Sequence, residues 1–225
     1  MKTIKFLVLP ALFSLFLLTA SAQNDGSRET EKIHAATNVL KDFDQMKESI
    51  PHDLLQDCEG IVIVPDLLNA GFVVGGKRGR GIAMVKLGNG KWSDPVFVTL
   101  TGGSFGFQIG VQSVDLVLVF RHKGVLTKVK NGDFTIGGDA SAAAGPVGRS
   151  TSANTDYKME AEVYSYSRSR GLFAGITING SNLGIDKKAN SNFYGSDISS
   201  EDIFGMAKSN TDAVSVLKET LRGME

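Results

Sequence analysis

Apolar residues run along this chain in three different rhythms, one of which returns at the end. From Phe6 to Leu18 they are nearly continuous, broken only by Pro10 and Ser14. From Glu31 onward Ile33, Ala36, Val39, Leu40, Phe43, Met46 and Ile50 recur at spacings of three and four. That spacing predicts an amphipathic helix over 31–50, with Ser27 and Thr30 as candidate N-caps and Pro51 as its stop; its polar face mixes acids with bases, which favours one face packed on the domain over a helix lying on a membrane. From about residue 57 to residue 185 the rhythm shortens to that of strands. Two apolar runs, 57–64 and 71–75, come first, separated by Pro65. Residues 81–87 and 91–100 flank Gly88-Asn89-Gly90, a turn sequence that tolerates positive φ and so predicts a hairpin. Phe105, Phe107, Ile109 and Val111 alternate with small or polar residues, whereas Leu116 to Phe120 is apolar throughout and predicts burial on both faces. Residues 125–130 and 134–136 read as a further hairpin around Asn131-Gly132-Asp133, and 161–169 with 171–179 as another around Arg170-Gly171. The last stretch, 200–222, returns to helical spacing, with Ser199 or Ser200 as cap and breaks at Gly205 and Ser209-Asn210.

Helix, many strands and helix, without alternation of strands and helices, predict an α+β fold. Twenty-six glycines, many inside strand-like runs, bend that expectation. Glycine in a strand marks bulges and close backbone approach, so the sheet should be mostly antiparallel and curved, or a partly closed barrel, flanked by an N-terminal and a C-terminal helix.

The first rhythm belongs to a different category. Lys2 and Lys5 precede the apolar run and Ala20-Ser21-Ala22 follows it, the pattern of a secretory signal peptide over 1–22. Residues 23–30 then read as a flexible leader and 31–225 as one domain. The run is short for a membrane-spanning helix. Export to the periplasm or the outside, with peripheral attachment to a membrane, is the resulting expectation. The chain carries equal numbers of Lys+Arg and Asp+Glu, 24 of each, which argues against a nucleic-acid partner. Cys58 is the single cysteine, so the chain forms no internal disulfide, and its place before an apolar run suits a small core residue.

Motifs for catalysis fail on their context. Gly71 to Arg78 approaches the phosphate-binding pattern G-x-x-x-x-G-K-[ST], but arginine occupies the hydroxyl position and no helical pattern follows. Gly102 to Gly106 matches G-x-S-x-G, yet the alternation continues as strand, where the nucleophile elbow of a hydrolase requires a helix. His34, His52 and His122 are scattered, with no metal-ligand spacing. No cofactor, no metal and no enzymatic activity are expected.

What remains is basic residues among glycines: Lys77, Arg78 and Arg80 in GGKRGRG, a further group at Arg121, Lys123, Lys128 and Lys130, and Arg149 in GPVGR. Guanidinium groups beside glycine amides can bind phosphate by charge and by hydrogen bond together.

The motifs in order, namely GIVIVP (60–65), AGFVVGGKRGRG (70–81), W-S-x-P (92–95), GGSFGFQIG (102–110), DLVLVF (115–120), GPVGR (145–149), YSYSRSRGLFAGITINGS (164–181) and NFYG (192–195), resemble the SYLF domain family across about 39–221. The resemblance implies a lipid-binding module with a preference for phosphoinositide-type lipids, working through an N-terminal amphipathic segment and basic surface residues. In yeast members it also implies actin binding, which export of this chain argues against. The expectation is therefore an exported module that contacts anionic phospholipid headgroups through Lys77, Arg78, Arg80 and Arg149 on a glycine-flanked turn, with apolar help from the helix 31–50. The competing expectation is an envelope structural or protein-interaction module without lipid specificity. A hydrolase comes third.

Overall fold

The computed structural model describes residues 25–225 apart from 47, 132–133, 146–160, 174–175, 196–197 and 210. In chain order it contains α1 (Asp25–Gln45), α2 (His52–Asp57), β1 (Gly60–Val85), β2 (Val96–Phe120) and α3 (Lys123–Thr127), the last running into a 3-10 turn (Lys128–Asn131). There follow β3 (Phe134–Ile136), β4 (Ala142–Ala144), β5 (Val163–Ser169), β6 (Leu172–Phe173) and β7 (Ser181–Ile185). Three helices close the chain: α4 (Lys187–Tyr194), α5 (Ser200–Phe204) and α6 (Asp212–Gly223).

The predicted α+β class with a mostly antiparallel, curved sheet is what the structure contains. Its backbone is a long ribbon of β1 and β2, paired antiparallel from Ala83↔Val96 beside the Gly88–Gly90 turn out to Gly60↔Phe120. On its other edge β2 carries β7 against residues 98–102 and β5 against residues 115–120. β3 extends the β7 side, and β4 joins β5 as the one parallel pairing between the strands described. The ribbon is not flat. Its register slips between Val64 and Leu67 and again between Gly71 and Val73, and such bulges increase twist and bend. The second half of β1 thereby crosses its own first half: a Cβ added at Gly81 would overlap the Ile63 carbonyl oxygen. Glycine is needed there because only a bare Cα lets the two backbones approach so closely. The sheet nearly closes on itself as a result.

Both faces of this sheet are covered, which explains the continuous apolar runs. Ile61, Ile63, Ile82, Met84, Val117 and Val119 face one way, into a core completed by Phe43 and Leu40 of α1 and Leu217 and Leu221 of α6. Val62, Val64, Val85, Leu116, Leu118 and Phe120 face the other way, into the interior of the curved sheet with Leu100, Phe134 and Leu183. Adjacent residues of a strand point to opposite faces, so a run such as IVIV supplies two cores at once.

Several expectations need correction. The two apolar runs around Pro65 belong to one strand; the proline sits at the first bulge, where a missing N–H costs no ladder hydrogen bond. Residues 123–131 are helical, so the predicted strand over 125–130 does not form. The N-terminal helix begins at Asp25 and ends at Gln45, which takes in most of the stretch expected to be a flexible leader and puts Ser27 and Thr30 inside it. Helix α4 and the short α2 went unpredicted. The last stretch does split as expected, with the Ser199 hydroxyl capping α5 by accepting from the Asp202 amide at 3.1 Å.

Candidate functional site

The basic segment KRGR lies inside β1, not in a turn: Lys77 to Arg80 pair in unbroken register with residues 99–102 of β2. Strand geometry therefore separates the three cations. Lys77 points inward, is buried, and donates its ammonium hydrogen bond to the Thr177 carbonyl. Burial pushes its pKa below the ordinary lysine value. Arg78 and Arg80 point outward and are exposed. Arg149 lies outside the described residues.

Around Arg80 the fold gathers charges that are remote in sequence. Arg80 Nε stands 3.4 Å from Asp186 Oδ2. Asp186 is also the N-cap of α4, its Oδ1 accepting from the Ala189 amide at 3.1 Å. Asn190 fixes that helix to the sheet edge: its Oδ1 accepts from the Phe97 amide at 2.9 Å, and its Nδ2 donates to the Phe97 carbonyl at 3.0 Å. This brackets Phe97 as a neighbouring strand would. Phe193 of α4 then stacks edge-on against the Phe97 ring at 5.3 Å. With α4 held there, Lys188 overhangs a cleft of about 360 Å³ between α4, the β1–β2 edge and the first turns of α1. Helix α1 contributes Arg28, Glu29 and Lys32 to its wall. The volume is within the roughly 300–1,000 Å³ range of small-ligand pockets.

The cleft is electropositive. Arg28, Lys32, Arg80 and Lys188 face Glu29 and Asp186, and of the four cations only Arg80 has an ion-pair partner among the described residues. Glu29 is the unusual member. It is only 8% exposed, its Oε1 accepts a long 3.4 Å hydrogen bond from Asn192 Nδ2, and its Oε2 has no partner among the described residues.

Sequence reasoning identified Arg80 here and missed the rest. Arg28 lay in the supposed leader, and Lys188 in a helix that was not foreseen. The signals for that helix were present in Asp186 as cap and in Gly195, whose φ of 72° makes the left-handed stop. The second basic group does not line the cleft: Arg121, Lys123 and Lys128 sit around α3. Of the two roles open to the amphipathic helix, it takes packing on the domain and not contact with a membrane. Ile33, Ala36, Val39, Leu40 and Phe43 are at most 3% exposed, so its apolar face packs on the sheet and on α6.

Neither enzymatic motif finds its required context. Residues 71–78 and 102–106 are both extended, with strand continuing after each. Among the described residues no group of three or more His, Cys, Asp or Glu side chains could hold a metal ion. Cys58 is buried, its thiol donating to the Leu55 carbonyl at 3.1 Å, and burial pushes its pKa up to about 12.

Comparison with known proteins agrees with this arrangement as a binding domain. The family model described as "Las17-binding protein actin regulator" matches residues 101–224. SH3 domain-containing YSC84-like protein 1 of Xenopus laevis is 36% identical over 169 residues, covering 72% of this chain and 50% of that protein. Its human counterpart is 35% identical over 175 residues, 75% of this chain and 51% of that protein. LAS seventeen-binding protein 3 of Saccharomyces cerevisiae is 35% identical over 149 residues, 65% of this chain and 32% of that protein. The chain thus spans about half the length, or less, of these curated relatives. A family match over residues 101–224, together with 36% identity over 72% of the chain, makes the chain a member of the Ysc84, or SYLF, family.

Proposed function

We propose that this chain is an exported binding module that attaches to anionic phospholipid surfaces through the outward basic face of β1 and the neighbouring helix ends. The observation that carries this reading is the convergence of Arg28, Lys32, Arg80 and Lys188 on one open cleft, with Arg78 exposed two residues from Arg80 on the same face of β1. Each such cation near an anionic surface contributes about 1 kcal/mol, so four give reversible, salt-sensitive attachment. Lys77 serves instead to hold the 177 segment, and Arg149, outside the described residues, is a further cation to be tested by substitution. The apolar face of α1 stays in the core, which makes attachment electrostatic and peripheral. No helix among the described residues is long and apolar enough to cross a membrane.

Sedimentation with vesicles tests this. The chain should pellet with vesicles containing phosphatidylglycerol and stay in solution with pure phosphatidylcholine. Changing Arg28, Lys32, Arg78 and Lys188 together to alanine should abolish pelleting without altering the circular dichroism spectrum. Equal recovery with both vesicle types, or undiminished binding by the quadruple variant, overturns the reading. Export rests on the pattern of residues 1–22, and N-terminal sequencing of the protein isolated from cells tests it: cleavage after Ala22 is expected.

A protein-interaction module is the second reading, favoured by the name of the yeast relative, a LAS seventeen-binding protein. It is supported if vesicles fail in every composition while a protein partner is retained through the same basic face.

A further inference from the structure

The Glu29 carboxylate is hard to reconcile with a cleft that only attracts anions. A buried acceptor without a donor costs stability, and a buried charge costs more. The neighbouring turn of the helix is held by apolar residues, and the Asn192 contact at 3.4 Å uses only Oε1. Glu29 lines the same cavity as Arg28, Lys32 and Lys188, and its Oε2 has no partner among the described residues. A site with cations on its rim and an unpaired acceptor in its wall is complementary to a ligand carrying both kinds of group.

We infer that the cleft binds a phosphoester whose adjoining carbons carry a hydrogen-bond donor, with the phosphate held by Arg28, Lys32 and Lys188 and a hydroxyl or ammonium donating to the Glu29 carboxylate. This deepens the membrane reading and rests on it for the source of the ligand, since a glycerol-type headgroup on a lipid and a free polyol phosphate present the same chemistry. Arg80 stands at the edge of this group, its Nε 3.4 Å from Asp186 Oδ2, while Asp186 at the same time caps α4. The carboxylate supplies selectivity. A bare phosphate satisfies the three cations but leaves Glu29 unpaired and repelled, whereas a donor-bearing phosphoester satisfies all four groups. Sites built around a buried polar group discriminate strongly against ligands that leave it unpaired.

A structural role and a ligand-binding role for Glu29 predict opposite behaviour of the same variant. If the carboxylate waits for a ligand, Glu29→Gln removes a buried charge and raises the melting temperature of the free protein by about 2–4 °C. If it supports the fold, Glu29→Gln lowers it.

The experiment is a calorimetric titration of the wild type and Glu29→Gln with sodium phosphate, glycerol 3-phosphate and O-phosphoethanolamine, paired with thermal melts. A parallel pelleting assay compares vesicles containing phosphatidic acid, whose headgroup has no donor-bearing carbons, with vesicles containing phosphatidylglycerol. The expected result is at least about tenfold tighter binding of glycerol 3-phosphate or O-phosphoethanolamine than of phosphate in the wild type, lost in Glu29→Gln. A preference seen only on vesicles assigns the ligand to a lipid headgroup, and one seen with the soluble compounds admits a free phosphoester; both support the inference. Equal binding of phosphatidic acid and phosphatidylglycerol, together with equal binding of the soluble probes, overturns it while leaving electrostatic attachment standing. Failure of all probes and all vesicles overturns both. A selectivity that survives Glu29→Gln, or a lowered melting temperature of that variant, also overturns the inference.

Discussion

Asp94 and Glu29 are both carboxylates taken out of water, and the fold treats them in opposite ways. Asp94 is 1% exposed and fully engaged. Its Oδ1 meets the Lys218 ammonium at 2.6 Å, and its Oδ2 accepts from the Lys208 and Ser209 amides at 3.1 and 2.9 Å. Its own amide donates to the Met206 carbonyl at 2.7 Å. One side chain thereby ties the start of β2 to the α5–α6 connection and to α6. Glu29, at the far end of the neighbouring helix, keeps one oxygen without a donor among the described residues. The difference lies in the lone pairs: those of Asp94 are filled and tie elements together, whereas Glu29 keeps one open, which is the opening that the inferred ligand fills.

Asp94→Ala should break the structural side of this comparison most severely. It leaves Lys218 and two amides without their acceptor and is expected to cost about 3–5 kcal/mol in urea unfolding. A loss below about 1 kcal/mol would mean that the network is ornamental. Lys218→Met is the milder cut, because Asp94 keeps its two backbone donors; about 1.5–3 kcal/mol is expected in the same measurement. The recognition side should respond in stability hardly at all. Arg78→Ala changes the unfolding free energy by no more than about 0.5 kcal/mol, as exposed substitutions do, while weakening vesicle attachment by about 1 kcal/mol, or roughly fivefold. Should Arg78→Ala destabilise the fold as Asp94→Ala does, the division of roles fails.

Cys58 extends the contrast to a neutral buried group, with an effect confined to alkaline solution. Its pKa is raised by burial from 9.0 to about 12. The contribution to stability is therefore fully present below pH 9.0 and is lost as pH rises through about 12. Removing the thiol in Cys58→Ala should flatten that part of the stability–pH curve. In the native protein at pH 8, labelling by a thiol reagent should proceed only as fast as the protein opens.

Much of the architecture could be read from the chain because it is written in local chemistry. Gly88-Asn89-Gly90 fixes the hairpin, the three–four spacing fixes α1, and Ser199 marks the start of α5. What could not be read depends on distance in sequence. Pro65 looks like a break between strands until the bulge that accommodates it is seen. Lys77, Arg78 and Arg80 look like one patch until the pleat sends Lys77 inward and leaves the arginines outside. The cleft joins Arg28, Arg80 and Lys188, whose only connection is tertiary. Glu29 could not be suspected at all, since an unpaired oxygen is a property of surroundings and not of spacing.

The β1–β2 ribbon also dictates an order of assembly. Its pairs nest around a single turn, from Lys86↔Trp92 at the inside to Gly60↔Phe120 at the outside. Closing the outer pairs first would require a long loop, at an entropic cost that grows with its length. Once the turn at Gly88–Gly90 has formed, each successive pair closes a loop already nearly shut, so the ribbon zips outward and the crossing of Gly81 over Ile63 comes late. Contacts between residues so far apart in sequence make for slow folding. A lesion in the Asn89-Gly90 turn should therefore retard folding more than unfolding, and the rate of reaching the native state is set by a loop that touches neither the cleft nor either core.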